Sequence, residues 1–277
     1  DNYLLSIYKS VPKSKIYKII RKGEVRVNSS RVKAHYKLCL NDLIRIPPNL
    51  DTQESKNNII EAKHINNYIS DILYEDTNYL ILNKNKGISV HAGTKNIIGL
   101  IDVVRNKFGK NIDLCHRLDK DTTGCIVFAK NKKSVKHFNE ALKNQSVTKT
   151  YNAILVGNLK NNIKIDKPIY KDDPQKIKNS LSKFKIVKTL NNFTFVEVQI
   201  YSGRTHQIRI HASSINHPVL FDNKYGDQTI NKSLTNLSNT KIALHSKTII
   251  FNDLNSNLIK VNAELPPNFV YMIDELI

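Results

Sequence analysis

The sequence predicts an α+β protein, with a mixed, largely antiparallel sheet, helices packed on it, and a small α/β module in front. Three observations predict it. From Ile72 onward, short apolar stretches with strand-like alternation recur between segments of helical spacing. The connectors between them are hairpin-like as well as helical, which favours antiparallel pairing over a regular βαβ alternation. A polar, Asn-rich stretch over residues 49–70 has no sustained period and divides the first 48 residues from the rest.

In the N-terminal unit, residues 1–48, Ile7, Val11, Ile16, Ile19 and Ile20 recur at helical spacing. Pro12 suits the start of a helix and Gly23 its left-handed end. Val25 to Val27 reads as a short strand entering a turn at Asn28. Leu43 to Ile46 reads as another, stopped by Pro47 and Pro48. Lys13, Lys15, Lys18, Arg21, Lys22 and Arg26 cluster on this unit. In the second unit, residues 71–277, Leu73 to Leu82 reads as a strand and Ile97 to Phe108 as a helix. Ile126 to Ala129 is a short buried strand, Ser134 to Leu142 a helix and Tyr151 to Val156 a strand. Thr194 to Ile200 alternates cleanly, and a helix is expected after Gly203, reaching about Ile215. There is no internal repeat and no glycine-rich phosphate loop.

The apolar fraction of 40% can form a packed core, which argues against wholesale disorder. Lys and Arg number 43 against 24 Asp and Glu, a net charge of +19 spread along the chain. Such a balance favours a polyanionic partner, because neutralising phosphates releases condensed counterions. A bias toward Lys, Asn and Ile is the competing explanation of the charge. Cys39, Cys115 and Cys125 contain no CxxC spacing, so neither a zinc knuckle nor a redox dithiol is encoded. A reduced, cytoplasmic setting is expected. No apolar run approaches the roughly 20 residues needed to span a bilayer. Met272 is the only methionine, so the first few residues of the protein are expected to be missing from this chain.

Three stretches carry chemistry. The first runs from Cys115 through His116, Arg117, Leu118, Asp119, Lys120, Asp121, Thr122 and Thr123 to Gly124. Charged residues, small hydroxyl residues and a glycine describe a structured loop. Asp119 has Arg117 and Lys120 as sequence neighbours, and nearby cations favour an ionised carboxylate able to act as a nucleophile. The competing reading makes Asp119 and Asp121 turn residues bonded to their own backbone. The second stretch is Ser202 to His211. If it is helical, Thr205 and Arg209 share one face, and Arg204, Ile208 and His211 another. Arg209 could then offer its planar fork to a carboxylate. His206 and His211 stand at i, i+5, unsuited to a helical metal pair, and no metal is expected. The third stretch is Lys149-Thr150-Tyr151, where alternation puts Lys149 and Tyr151 on one face of a strand. Tyr151 also fits a half-buried aromatic with its hydroxyl in water.

Taken together and in this order, these stretches resemble the family of large-subunit ribosomal RNA pseudouridine synthases. His116 to Gly124 resembles the family's catalytic motif, with Thr123 in place of the usual serine. Ser202 to His211 resembles a further motif, and Lys149 to Tyr151 the family's KxY element. Leu82 to His91 resembles the strand and loop before the active site, with Asn85 where proline is usual, a change that frees that backbone. Phe221 to Gly226 matches another family segment, and Val11 to Lys33 resembles an S4-type RNA-binding module.

The resemblance implies the pseudouridine synthase fold, 23S ribosomal RNA as partner, no cofactor, and by default a monomer. It implies that Asp119 is the catalytic carboxylate, that Arg209 pairs with it and holds it ionised, and that Tyr151 covers the target base and is a candidate for proton transfer. Arg117 is expected to help push the uridine out of the stack. His116, Arg204, Thr205 and His206 join it as the expected substrate-binding set, with His116 also fixing the loop. The six basic residues of the N-terminal unit are expected to anchor RNA. A non-catalytic RNA-binding protein and a metal-dependent nuclease are the competing classes. The first has no need of the Asp119, Tyr151 and Arg209 set, and the second needs a ligand cluster this sequence lacks.

Overall fold

The computed structural model describes residues 1–8, 11–48, 68–91, 98–171, 173–237 and 241–277. The chain divides into two compact units, Asp1–Ile60 and Glu61–Ile277. Up to residue 67, the linker expected over 49–70 lies outside the described residues. Its last two positions belong to a strand instead.

The first unit holds helices α1 (Asn2–Ile7) and α2 (Lys13–Lys22). Three two-residue strands follow, β1 (Arg26–Val27), β2 (Ser30–Arg31) and β3 (Ile44–Arg45), in the order β2-β1-β3. Ile16, Ile19 and Ile20 form the buried stripe of α2 and pack with Leu4, Val11 and Val25. Gly23 ends α2 in the left-handed region at φ 73°, as its sequence position predicts. Lys13, Lys18, Arg21, Lys22 and Arg26 are left exposed on the outer face, and Lys15 is half-buried.

The second unit begins with a hairpin, β4 (Ile69–Glu75) and β5 (Tyr79–Lys84). The single strand read over Leu73 to Leu82 is therefore two. The chain reverses at Asp76, whose carboxylate accepts the Asn78 amide at 2.7 Å, an Asx-type turn in the polar stretch Glu75-Asp76-Thr77-Asn78. Then follow α3 (Leu100–Phe108), β6 (Asp113–Leu114), β7 (Thr123–Ala129), α4 (Lys132–Lys143) and β8 (Thr148–Val156). The strands β9 (Ile163–Asp166), β10 (Ile169–Lys171), β11 (Asp173–Lys178), β12 (Leu181–Leu190) and β13 (Phe193–Ile200) come next. Helices α5 (Gln207–Ser214) and α6 (Gln228–Ser233), strands β14 (Leu244–Asn252) and β15 (Leu258–Asn262), and α7 (Pro267–Glu275) complete the chain.

The main sheet runs β4-β5-β7-β14-β8-β13-β12-β9, with β15 added to β14 and β6 to β7. Among the described residues its pairs are antiparallel except β7 with β14, so the mixed, largely antiparallel sheet expected of the sequence is present. One face of this sheet packs on α4 through Phe138, which no solvent reaches. Its ring meets Phe251 edge-on at 4.9 Å, and Tyr79 meets Phe251 at 5.0 Å.

The parallel pair aligns three strands at one level. Ser246 of β14 lies beside Gly124 of β7 on one side and Tyr151 of β8 on the other. These three residues thus form one row across the sheet. The approach of β14 is so close that a Cβ on Gly124 would lie 2.2 Å from the Ser246 carbonyl oxygen, and the Gly124 φ of 101° also excludes side chains. The loop His116–Asp121 leads directly into this row.

Candidate active site

Strands are roughly 4.8 Å apart, so the row places Tyr151 about two strand spacings from the entry to β7. Helix α5 enters from β13, the strand on the far side of β8, and carries Arg209 back over the sheet. The Arg209 Nη1 donates to Asp119 Oδ2 at 2.7 Å. Its other edge is held by Asp222, which accepts Nε at 2.7 Å and Nη2 at 2.8 Å in a two-pronged bond. The guanidinium also lies 5.3 Å from the centre of the Tyr225 ring.

One arginine therefore bridges a fully buried carboxylate and a partly exposed one. The Asp222 side chain is 0% exposed and that of Asp119 is 21% exposed. That contrast separates a carboxylate enclosed in the fold from one that faces the cleft. Burial alone would raise the Asp222 carboxyl; bonds from Arg209 and from the Tyr225 and Lys224 amides outweigh it and hold the group below the usual carboxylate range. For Arg209, burial works against the charge, and the two carboxylates more than offset it.

The loop carrying Asp119 is fixed from beneath. Lys84, at the end of β5, is fully buried, and its Nζ donates to the carbonyls of Asn85 and Lys120 at 2.9 Å and of Thr122 at 2.8 Å. Burial pushes its amine down to about 7, against the pull of Asp121 and Asp119. The Asn85 amide donates to the Tyr68 carbonyl at 2.9 Å, a bond proline cannot make. The substitution thus ties this backbone instead of freeing it. Thr123 keeps the hydroxyl function of the serine it replaces, at 2.8 Å from His245 Nδ1.

His116 faces inward. Its Nε2 accepts the Val127 amide at 3.1 Å and its ring stacks on Phe138 at 6.1 Å. Burial, with Lys149 nearby, pushes the ring down to about 3, so it stays neutral. It couples the loop to the core.

Tyr151 is 6% exposed. Burial pushes its phenol well above its usual range, a bond from Ser246 works the other way, and the charge of Asp119 adds to the rise. At neutral pH the hydroxyl is a donor.

The segment before α5 departs from expectation. Arg204, Thr205 and His206 are not helical, and α5 starts only at Gln207. The buried Gln207 explains why. Its Oε1 accepts the Ser202 hydroxyl at 2.7 Å and the Arg204 amide at 3.2 Å, and its Nε2 donates to the Leu181 carbonyl at 3.0 Å. These bonds hold residues 202–206 as a turn, with His206 at φ 56°. The helical faces supposed for Arg204 and Thr205 do not form. His206 nevertheless stands near the carboxylate, its Nε2 3.8 Å from Asp119 and its Nδ1 3.1 Å from the Tyr225 hydroxyl. His211 points elsewhere, with Nδ1 2.9 Å from the Ser182 hydroxyl.

Asp119, Tyr151, Arg209, Arg117, His116, Arg204, Thr205 and His206 all line one cleft of about 690 Å³. The predicted residues of the second unit are thus brought together. Asp222, Lys84 and Gln207 have no role in the sequence reading. The only signal for Asp222 is its place in the family-like segment Phe221–Gly226. A carboxylate, a fixed guanidinium and a buried phenol in one cleft suit displacement or proton transfer on a polar, planar ligand.

Comparison with known proteins gives a consistent answer. Residues 78–214 match the family described as RNA pseudouridylate synthase, and residues 1–44 match the S4 domain. The ribosomal large subunit pseudouridine synthase C of Buchnera aphidicola from Acyrthosiphon pisum is 36% identical, over all of this chain and 93% of its own length. That of Pasteurella multocida is 36% identical, over all of this chain and 89% of its own. Among solved structures, human RNA Pseudouridylate Synthase Domain Containing 4 is similar with a TM-score of 0.63 and 27% identity. The match covers 75% of this chain and 93% of that one. Fold, motif order and full-length similarity agree, and the chain belongs to the RNA pseudouridylate synthase family, with an S4 domain ahead of its synthase domain.

Proposed function

We propose that the chain isomerises uridines of 23S ribosomal RNA to pseudouridine, with Asp119 as the reacting carboxylate, Arg209 as its partner and Tyr151 against the target base. The observation that carries this reading is the 2.7 Å bond from Arg209 to Asp119 inside the cleft, with Asp222 gripping the other edge of the guanidinium. The large-subunit relatives at 36% identity support ribosomal RNA as the substrate. The working arrangement is a cytoplasmic monomer, with residues 1–48 holding RNA and residues 71–277 doing the chemistry. No described helix is long and apolar enough to cross a membrane.

The reaction breaks the bond between C1′ and N1, turns the uracil, and joins C1′ to C5. The C5 proton leaves to solvent and N1 gains one, so no redox change and no energy source is needed. Asp119 can begin it by attack on C1′, by attack on C6, or by a glycal route in which a C2′ proton is removed. The uridine must first leave its stack, at a cost of a few kcal/mol. Contacts from Arg117 and the basic cleft wall offset that cost.

The test is tritium release from a 23S rRNA transcript labelled at uridine C5. The wild-type chain releases tritium and makes pseudouridine, and Asp119→Asn does neither while still binding the RNA. Near wild-type turnover by the variant would remove Asp119 from the chemistry. RNA binding without any release by the wild type would leave a binding protein.

A further inference from the structure

Among the described residues, the cleft holds a deeply buried lysine with no partner for its charge. Lys149 is 2% exposed and lines the cleft that contains Asp119, Tyr151 and Arg204. Lys84, the other lysine buried in this region, satisfies all three of its donors on loop carbonyls. Lys149 makes no such bond among the described residues, and neither an acid nor a carbonyl favours its charge. Burial and the Arg204 guanidinium push the amine down to about 8, so it still enters mostly protonated at neutral pH.

A buried ammonium without a partner is costly. Lys149 nevertheless lines the cleft, together with Gly203 and Arg204. A Cβ on Gly203 would stand 3.1 Å from its Nζ, so the glycine keeps a side chain from crowding the amine on the cleft wall. Tyr151 is two residues away on the same strand face, roughly 6.6 Å along the strand. An occupant that reached both would extend from a base-sized group on Tyr151 to an anion on Lys149. With a second cation, Arg204, beside it, a neutral carbonyl would not balance the charge.

We propose that Lys149 and Arg204 hold a backbone phosphate adjoining the target uridine, which makes Lys149 a positioning residue for the RNA strand. The inference rests on the reading of the cleft as an RNA site. It does not depend on which atom Asp119 attacks. The phosphate fixes the strand at one end, so the base it carries meets Tyr151 and Asp119 in a single register.

The test compares Asp119→Asn with Asp119→Asn/Lys149→Met, so that bound RNA is not converted. Methionine keeps the length and apolar stem of the side chain. Affinity for a 23S rRNA stem-loop that the wild type converts is measured across salt concentrations. The methionine variant is expected to bind roughly ten- to a hundredfold more weakly, as loss of a charge-assisted contact implies. The slope of log K against log salt should become shallower by about 0.7, one single-strand phosphate. Its melting temperature should equal or exceed that of its parent, because an unpaired buried charge has been removed; a merely structural lysine would give a fall. A methylphosphonate replacing the phosphate on one side of the uridine should weaken the parent and leave the methionine variant unchanged.

An unchanged salt slope, or methylphosphonates that weaken both proteins equally, would overturn the assignment. If the wild type bound a 23S transcript yet released no tritium, the enzyme reading would fall. The salt slopes on that transcript would still decide the phosphate contact.

Discussion

Substituting Asp222 by asparagine separates two roles of the arginine bridge. Asp222 makes no contact with the open cleft, yet its carboxylate holds two of the three Arg209 nitrogens at 2.7 and 2.8 Å. An amide has one oxygen where the carboxylate has two and carries no charge, so the two-pronged grip is lost. Removing one partner of a buried ion pair costs roughly 3–5 kcal/mol. Arg209 keeps Asp119, so a loss near 3 kcal/mol is expected, measured by urea denaturation at pH 7. With its second edge held less firmly, the guanidinium still bonds Asp119 but no longer fixes it in one position. Misplacement by about 1 Å at a reacting group costs about a hundredfold in rate, which tritium release would read as lower kcat. The pH dependence gives an independent check. The folded-state carboxyl lies below its unfolded value of 3.8, so its contribution is full above that pH and is lost as pH falls through the folded value. The gap in stability between wild type and variant should therefore narrow only below about pH 4. A variant within 1 kcal/mol of wild type and with unchanged kcat would refute the view that Asp222 orients Arg209.

Two further outcomes concern the loop and its row of strands. Gly124→Ala sets a methyl group against the Ser246 carbonyl at a φ that alanine avoids; a loss of at least about 2 kcal/mol by urea denaturation is expected, from overpacking together with backbone strain. Lys84→Met should change the pH dependence of stability. The amine falls from its usual 10.5 to about 7 in the fold, so wild-type stability should be greatest above pH 10.5 and decline as pH drops toward 7. The variant should lack that slope, and its loop carbonyls, robbed of their donor, should lower its stability at pH 10. A wild-type slope in the variant would show that Lys84 is not the titrating group.

Much of this protein is legible in its sequence, for local reasons. Helix α2 is written in its apolar stripe and in Gly23, and β13 in the alternation that runs from Val196 to Ile200, because each obeys a single period. The loop that carries Asp119 is marked by residue types that local geometry needs, above all Gly124. The edge of the sheet is less legible. Strands β9 and β12, at one end of the sheet, lie in a Lys- and Asn-rich stretch, and in β12 exposed Lys183, Lys185 and Lys188 break the apolar signal where the side chains face water. The hairpin β4–β5 is legible after all, since the polar, turn-forming stretch Glu75-Asp76-Thr77-Asn78 interrupts the apolar residues, and a single strand over Leu73 to Leu82 passes over that signal.

What the chain by itself determines is therefore the set of elements and the candidate groups Asp119, Tyr151 and Arg209. Their joining is a tertiary matter. Asp119 and Arg209 are 90 positions apart, and their 2.7 Å bond exists because β14 slots between β7 and β8 and α5 folds back over the sheet. The identity of the third partner, Asp222, is decided the same way. No local pattern says that an aspartate in a turn will be buried against a distant arginine, because burial is a property of the packed fold and not of the segment.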